Sequence, residues 1–168
     1  MTRLFILAIL FSLSIILGVM SLLLELSTLS SPCMIIIRGI PGSGKSTLAQ
    51  RYLQLIPDAV HCEADHYFIN RQGEYCYDGS KIKFAHQYCQ KNIRNALSKG
   101  QSVIVSNTTI KRWELTALLD IATRYNIEPH IIHCCGAFTS NHNVPAEIVA
   151  NMALNYEVYP GESRYIPS

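Results

Sequence analysis

Residues 38–49 read Arg-Gly-Ile-Pro-Gly-Ser-Gly-Lys-Ser-Thr-Leu-Ala. Just before them, the run Met-Ile-Ile-Ile-Arg at 34–38 is apolar enough for a strand buried on both faces of a parallel sheet. Just after them, Leu48, Tyr52 and Leu55 recur on one helical face from about Lys45, until Pro57 stops the helix. A strand, a glycine-rich turn and a helix in that order are the setting in which G-x-x-x-x-G-K-S is a P-loop, or Walker A motif. Gly39, Gly42 and Gly44 let the backbone turn tightly and come close to oxygen atoms. The loop's N–H groups point inward, and the helix adds its positive end. The candidate ATP-binding set is therefore Gly39, Pro41, Gly42, Ser43, Gly44, Lys45, Ser46 and Thr47. Lys45 is expected to reach the β- and γ-phosphates and to act in catalysis. Ser46 is expected to ligate Mg²⁺ through its hydroxyl, with Thr47 behind it.

Working outward, residues 59–63 read as a second short strand and 65–79 as a polar, aromatic loop. A long helix follows over about 80–99, with Ile82, Ala85, Cys89, Ile93, Ala96 and Leu97 on its inner stripe and Gly100 as its stop. Val-Ile-Val within 102–106 is a third buried strand. Residues 111–125 are a helix with Leu115, Leu118, Leu119 and Ala122 inward, and 129–133 a fourth strand. A polar loop spans 136–144. A last helix over 145–156 turns Ile148, Val149, Met152 and Tyr156 to one side. Strands alternating with helices imply right-handed crossovers and a parallel sheet. The expected fold is α/β: a three-layer parallel sheet of P-loop kinase type with helices on both faces, plus an N-terminal hydrophobic helix.

Ligands in such sheets bind at the carboxyl ends of the strands, so the ends of strands one, two and three should converge. Asp65 lies at the end of strand two, where a carboxylate can take or position the proton of an attacking hydroxyl. Glu63 is its near neighbour, and alternation along a strand would point both the same way. Asn107 and Thr108 end strand three, where a Walker B strand commonly ends in Asp. They either bind a Mg²⁺-bound water or the acceptor, or cap the helix that carries Trp113. His61-Cys62-Glu63 matches the His-x-Glu of zinc deaminases but lacks the Pro-Cys-x-x-Cys partner. His130, His133 and Cys134 alternate on a strand and read as structural.

The chain has 168 residues, enough for one domain with a sizeable core. A net charge of +2 does not announce a nucleic-acid binder, although it leaves room for a local basic groove. Six cysteines without a C-x-x-C pair fit reduced thiols in a cytosolic compartment better than a disulfide framework. Residues 4–24 carry no charge and are long enough to cross a bilayer of about 30 Å. They read as a single transmembrane anchor for a cytoplasmic catalytic domain, as a signal peptide, or as sequence upstream of a mis-assigned start. The expected organisation is a hydrophobic segment over 1–31, a P-loop kinase domain over 34–160 and a tail over 161–168.

Further stretches extend the pattern: Ala-Asp-His-Tyr-Phe (64–68), Tyr-Asp-Gly-Ser-Lys-Ile (77–82), Ala-His-Gln-Tyr-Cys (85–89), Val-Ile-Val-Ser-Asn-Thr (103–108), Trp-Glu-Leu (113–115) and His-Asn-Val-Pro (142–145). With the P-loop and Met152 to Glu157, their order and spacing over about 34–160 resemble one family of AAA-type ATP-binding proteins. It is that of the small P-loop kinases related to bacteriophage polynucleotide kinase and to the kinase-like domain of the NEDD4-binding proteins. The resemblance implies an ATP- and Mg²⁺-dependent phosphotransferase with Asp65 as catalytic base. It suggests a polynucleotide 5′-hydroxyl as acceptor. A small hydroxylated metabolite or nucleoside, or a membrane-tethered ATP-binding module with little turnover, are the other readings. Two departures stand out. Phe68 occupies the place of an arginine of the phage enzyme, and 133–145 contains no Lys or Arg where that enzyme's lid carries arginines. Arg112, Lys111, Arg71 or Arg164 is then expected to supply the missing cation, and His142 is the ionisable residue of the lid.

Overall fold

The computed structural model describes residues 29–138 and 144–167, together with Ile16, Met20 and Leu24. Two compact units divide the chain, one over Met1–Ser30 with Ser168 and the other over Ser31–Pro167. In the first, Ile16, Met20 and Leu24 are helical. The rest of the 4–24 stretch lies outside the described residues, and so does the anchor expected there. Among the described residues, no helix is long and apolar enough to cross a membrane.

The second unit is built around β1, Met34–Arg38, every residue of which is buried. Both faces of β1 are covered, as its unbroken apolar run requires. The pleat turns Met34 and Ile36 to one side and Ile35 and Ile37 to the other. Met34 and Ile36 join a core with Ala85, Cys89 and Ile93 of α2 (Ile82–Leu97) and Leu115, Leu118 and Ile121 of α3 (Arg112–Arg124). α1 (Lys45–Leu55) buries Leu48, Ala49 and Tyr52. Fully burying a side chain of this size contributes about 1.5–3 kcal/mol.

The remaining strands are β2 (Val60–Cys62), β3 (Val103–Ser106), β4 (His130–Cys134) and β5 (Ser163–Tyr165). All pair in parallel in the order β2-β3-β1-β4-β5. From β1 the chain crosses to the β2 edge and returns through β3, then passes to the other side for β4. The strand order therefore reverses at β1, and its carboxyl end is where such sheets bind ligands.

Three expectations are corrected. The segment read as a tail, 161–168, contains β5, which pairs Ser163, Arg164 and Tyr165 with Ile132, His133 and Cys134. Three residues, two of them polar, carry no strand pattern. The loop expected over 65–79 contains a 3-10 helix, Ala64–Phe68, and a bridge between Ile69 and Tyr75, and a second 3-10 turn, Gly79–Lys81, leads into α2. In α4 (Ala146–Leu154) no residue is buried, so its apolar stripe covers little.

The start of the folded unit lies slightly upstream of Met34. Cys33 is buried, its N–H donates to Ser102 Oγ at 3.0 Å, and its carbonyl accepts from Val103 N–H at 2.9 Å. A chain begun at Ser31 is therefore expected to fold and to exceed one begun at Met34 by about 1–3 kcal/mol, the scale of two hydrogen bonds. Urea titration of the two proteins measures the difference, and equal midpoints would place the boundary at Met34.

Candidate active site

The P-loop leaves β1 between the ends of β3 and β4 and is held from both. Gly39 N–H donates to the Thr108 carbonyl at 3.0 Å. On the β4 side, Gly136 N–H donates to Ser43 O at 3.0 Å and Phe138 N–H to Gly42 O at 2.8 Å. Glycine is required twice here. A Cβ on Gly39 would meet the Cys134 carbonyl at 2.5 Å, and one on Gly136 would meet the Ser43 carbonyl at 2.5 Å. The role of Gly136 is invisible in sequence because it depends on a contact made across the sheet.

Gly44, at φ 91°, starts α1 with no side-chain cap and no acidic residue in its first turn. The positive end of the helix is left open to an anion. Lys45 is 8 % exposed and its Nζ donates to the Ile40 carbonyl at 3.0 Å. Burial lowers its pKa, against the opposing pull of Glu63, Cys134 and Asp65. The buried Ser43 hydroxyl has no hydrogen-bond partner among the described residues. An open helix start, a buried ammonium and an unsatisfied hydroxyl around one loop are what a phosphate chain would satisfy, so these residues fit ATP. Ser46 is the hydroxyl of the set that stands beside a carboxylate, and that pairing fits Mg²⁺.

That carboxylate belongs to Glu63, whose Oε1 accepts from Ser46 Oγ at 3.4 Å. Burial, with a smaller push from Asp65, raises the Glu63 pKa to about 7, while Lys45, Ser46 and Ser106 draw it down. Asp65 Oδ1 accepts from the Tyr75 hydroxyl at 3.3 Å. The Tyr75 phenol is pushed up to about 12, first by burial and then by Asp65. Strand alternation would aim Glu63 and Asp65 together. Instead β2 ends at Cys62 and the 3-10 helix begins at Ala64, so Glu63 meets Ser46 while Asp65 meets Tyr75. The sequence offers Asp65 as a site residue and does not signal that Glu63 faces the P-loop serine.

Asn107 sets that turn. Its Oδ1 accepts from Ala64 N–H at 2.9 Å and its Nδ2 faces Cys89 Sγ at 3.7 Å. Thr108 contributes its carbonyl to Gly39. Neither caps α3, whose N-cap is Lys111, with Lys111 N–H donating to Glu114 Oε2 at 2.8 Å. The two candidate cations at the start of α3 are committed elsewhere. Lys111 Nζ donates to Glu157 Oε1 at 3.0 Å, and Arg112 Nε donates to the Val158 carbonyl at 2.8 Å. Phe68 is buried against Tyr75 and Tyr77. His142 lies outside the described residues, as does most of the 136–144 lid.

Behind the P-loop sits an ionic lock that the sequence does not reveal. Arg38, the last residue of β1, is 0 % exposed. Its Nη1 donates to Glu162 Oε2 at 2.9 Å and to the Glu157 carbonyl at 3.0 Å, and its Nε to the Thr109 carbonyl at 2.8 Å. The guanidinium lies 4.5 Å from the Tyr156 ring centre, and that ring stacks on His133 at 3.9 Å. One side chain thus ties β1 to the segments following β3 and α4.

The profile of a family described as "AAA domain" matches residues 34–149. NEDD4-binding protein 2 of Homo sapiens is 33% identical over 94 residues, which are 55% of this chain and 5% of that protein. The chain thus spans a small fraction of that relative's length. An uncharacterized protein of Pasteurella multocida (strain Pm70) is 29% identical over 135 residues, 73% of this chain and 75% of that one. Among solved structures, a sugar kinase from Janibacter sp. HTCC2649 superposes with TM-score 0.57 at 17% identity, over 80% of this chain and 84% of its own. A chain of the Pnkp1/Rnl/Hen1 complex gives 0.54 at 17%, over 80% and 43%. The Mycobacterium tuberculosis APS kinase CysC, in complex with AMPPNP and APS, gives 0.55 at 13%, over 83% and 91%. At these identities the structures establish the fold, which is of P-loop kinase type.

Proposed function

This chain belongs to the AAA domain family, and from that premise we propose that it binds Mg²⁺-ATP and transfers the γ-phosphate to a hydroxyl acceptor. The observation that carries the reading is the meeting of Lys45 and Ser46, at the start of an uncapped helix, with Glu63 and Asp65 beyond the carboxyl end of β2. Mg²⁺-ATP supplies the activated phosphoryl group and the countercharge that its transfer needs. The P-loop amides and the start of α1 bind the phosphate oxygens. Lys45 exchanges the Ile40 carbonyl for those oxygens and gains a partner for its buried charge. Ser46 would hold Mg²⁺ through its hydroxyl, which donates to Glu63 Oε1. Asp65 accepts the acceptor's proton at its carboxylate, and Tyr75 orients that carboxylate through its hydroxyl. Asn107 is a positioning residue, since it fixes the turn that separates Glu63 from Asp65.

The acceptor is open between two classes, a polynucleotide 5′-hydroxyl and a small hydroxylated molecule. The likeness to the Pnkp1/Rnl/Hen1 RNA repair complex supports the first, and the likeness to the sugar kinase supports the second. The absence of Lys and Arg over 133–145 supports the second as well. The test incubates the protein with γ-labelled ATP and either 5′-hydroxyl oligonucleotides or a panel of sugars and nucleosides. Label is expected on the small acceptors, with oligonucleotide binding weak and shallow in its salt dependence. A steep loss of oligonucleotide binding with salt, together with labelled 5′ ends, would assign the polynucleotide instead. No label on any acceptor would remove the kinase reading.

A further inference from the structure

We infer that His61, Glu63 and His66 form a binding site for a divalent transition ion of the Zn²⁺ class, abutting the Ser46 position of the P-loop. One nitrogen of each imidazole and one carboxylate oxygen lie within 4.8 Å of one another. Glu63 Oε2 is 3.8 Å from His61 Nε2 and 3.8 Å from His66 Nε2. These separations are too long for hydrogen bonds. The three atoms converge without bonding to one another. In a tetrahedral site with ligand bonds near 2.0–2.2 Å, ligand atoms stand about 3.4 Å apart. A small rotation of the side chains closes the triangle, and His66, whose side chain is 34 % exposed on the 3-10 turn, is free enough to make it. His61 Nε2 is hydrogen-bonded to Ser106 Oγ at 2.7 Å, a bond that the ion replaces when His61 turns to ligate, and water completes the coordination.

The ligand types choose the ion. Two imidazoles with one carboxylate suit Zn²⁺ and its neighbours, whereas Mg²⁺ and Ca²⁺ take oxygen ligands. The site's place gives it a consequence. Glu63 reaches Ser46 with Oε1 and the histidine pair with Oε2, so a single carboxylate is shared between two positions. An ion held by the histidines draws on the same Glu63 that faces Ser46. The ion site itself does not depend on the kinase reading, because it is assayed without nucleotide.

The experiment titrates the metal-free full chain with Co²⁺ and with Zn²⁺ in the absence of ATP, by calorimetry and by the visible absorption of Co²⁺. One equivalent is expected to bind, unaffected by excess Mg²⁺. His66→Ala is expected to weaken binding by about 100-fold or more, since loss of an outer-shell partner alone costs 10–100-fold. His61→Ala is expected to do the same, with circular dichroism confirming its fold. The exposed Cys76 and half-buried Cys135 are the alternative ligands. The Cys76→Ser, Cys135→Ser double variant is expected to bind as the parent does. No binding, equal binding by His66→Ala and the parent, or loss of binding in the cysteine variant would each overturn the assignment.

Discussion

Asp65→Asn is expected to slow phosphoryl transfer by about 10²–10⁴-fold, the usual contribution of a positioned general base. Asparagine keeps the size of the side chain and can still accept a hydrogen bond from the Tyr75 hydroxyl at the 3.3 Å contact. It cannot take a proton. ATP affinity should change little, because the nucleotide is held by the P-loop and Lys45. The expected signature is a large fall in kcat with a nearly constant Kd for ATP. Equal losses in both would mean that Asp65 serves the nucleotide or the fold. A large loss on Glu63→Gln with little on Asp65→Asn would transfer the role to the carboxylate beside Ser46.

The second large effect is on stability. Glu162→Ala leaves the guanidinium of Arg38 buried, without the carboxylate now 2.9 Å away. Breaking a buried pair from one side typically costs about 3–5 kcal/mol. A domain of this size is stable by about 5–15 kcal/mol, so the variant should lose a large part of its margin. Urea unfolding measures the loss as a lower midpoint with an unchanged slope. Removing both charges with Arg38→Met and Glu162→Leu should recover much of it, because neither charge is then stranded. A midpoint near the parent's in the single variant would mean that the two carbonyls and Tyr156 suffice for Arg38.

These two sites differ in how far the sequence discloses them. Everything from β1 through the P-loop to α1 is local, so an apolar run, three glycines and a helical stripe are enough to read it. The inner stripe of α2 is legible for the same reason: Ala85, Cys89, Ile93, Ala96 and Leu97 are all buried, while Ile82, at the first turn, is exposed. β5 is not, because its three residues gain strand form only from pairing with β4. Glu63 and Asp65 part company over a single change from strand to 3-10 helix, which no residue between them signals. The Arg38–Glu162 pair spans 124 positions and looks like two ordinary surface charges until the chain is folded. The sequence offers Asn107 to a metal-bound water, to the acceptor or to a helix cap; in the fold its Oδ1 accepts from Ala64 N–H and its Nδ2 faces Cys89 Sγ.

The central claim is that Lys45 and the P-loop bind ATP for transfer of its γ-phosphate. It is tested most directly by comparing the parent chain with Lys45→Ala in the γ-labelled ATP assay, with the fold of both checked by thermal unfolding. The parent should label an acceptor hydroxyl in a Mg²⁺-dependent way. The variant should fold, since burial already disfavours the Lys45 charge, and should transfer no label above background. Transfer by the variant at the parent's rate would contradict the account.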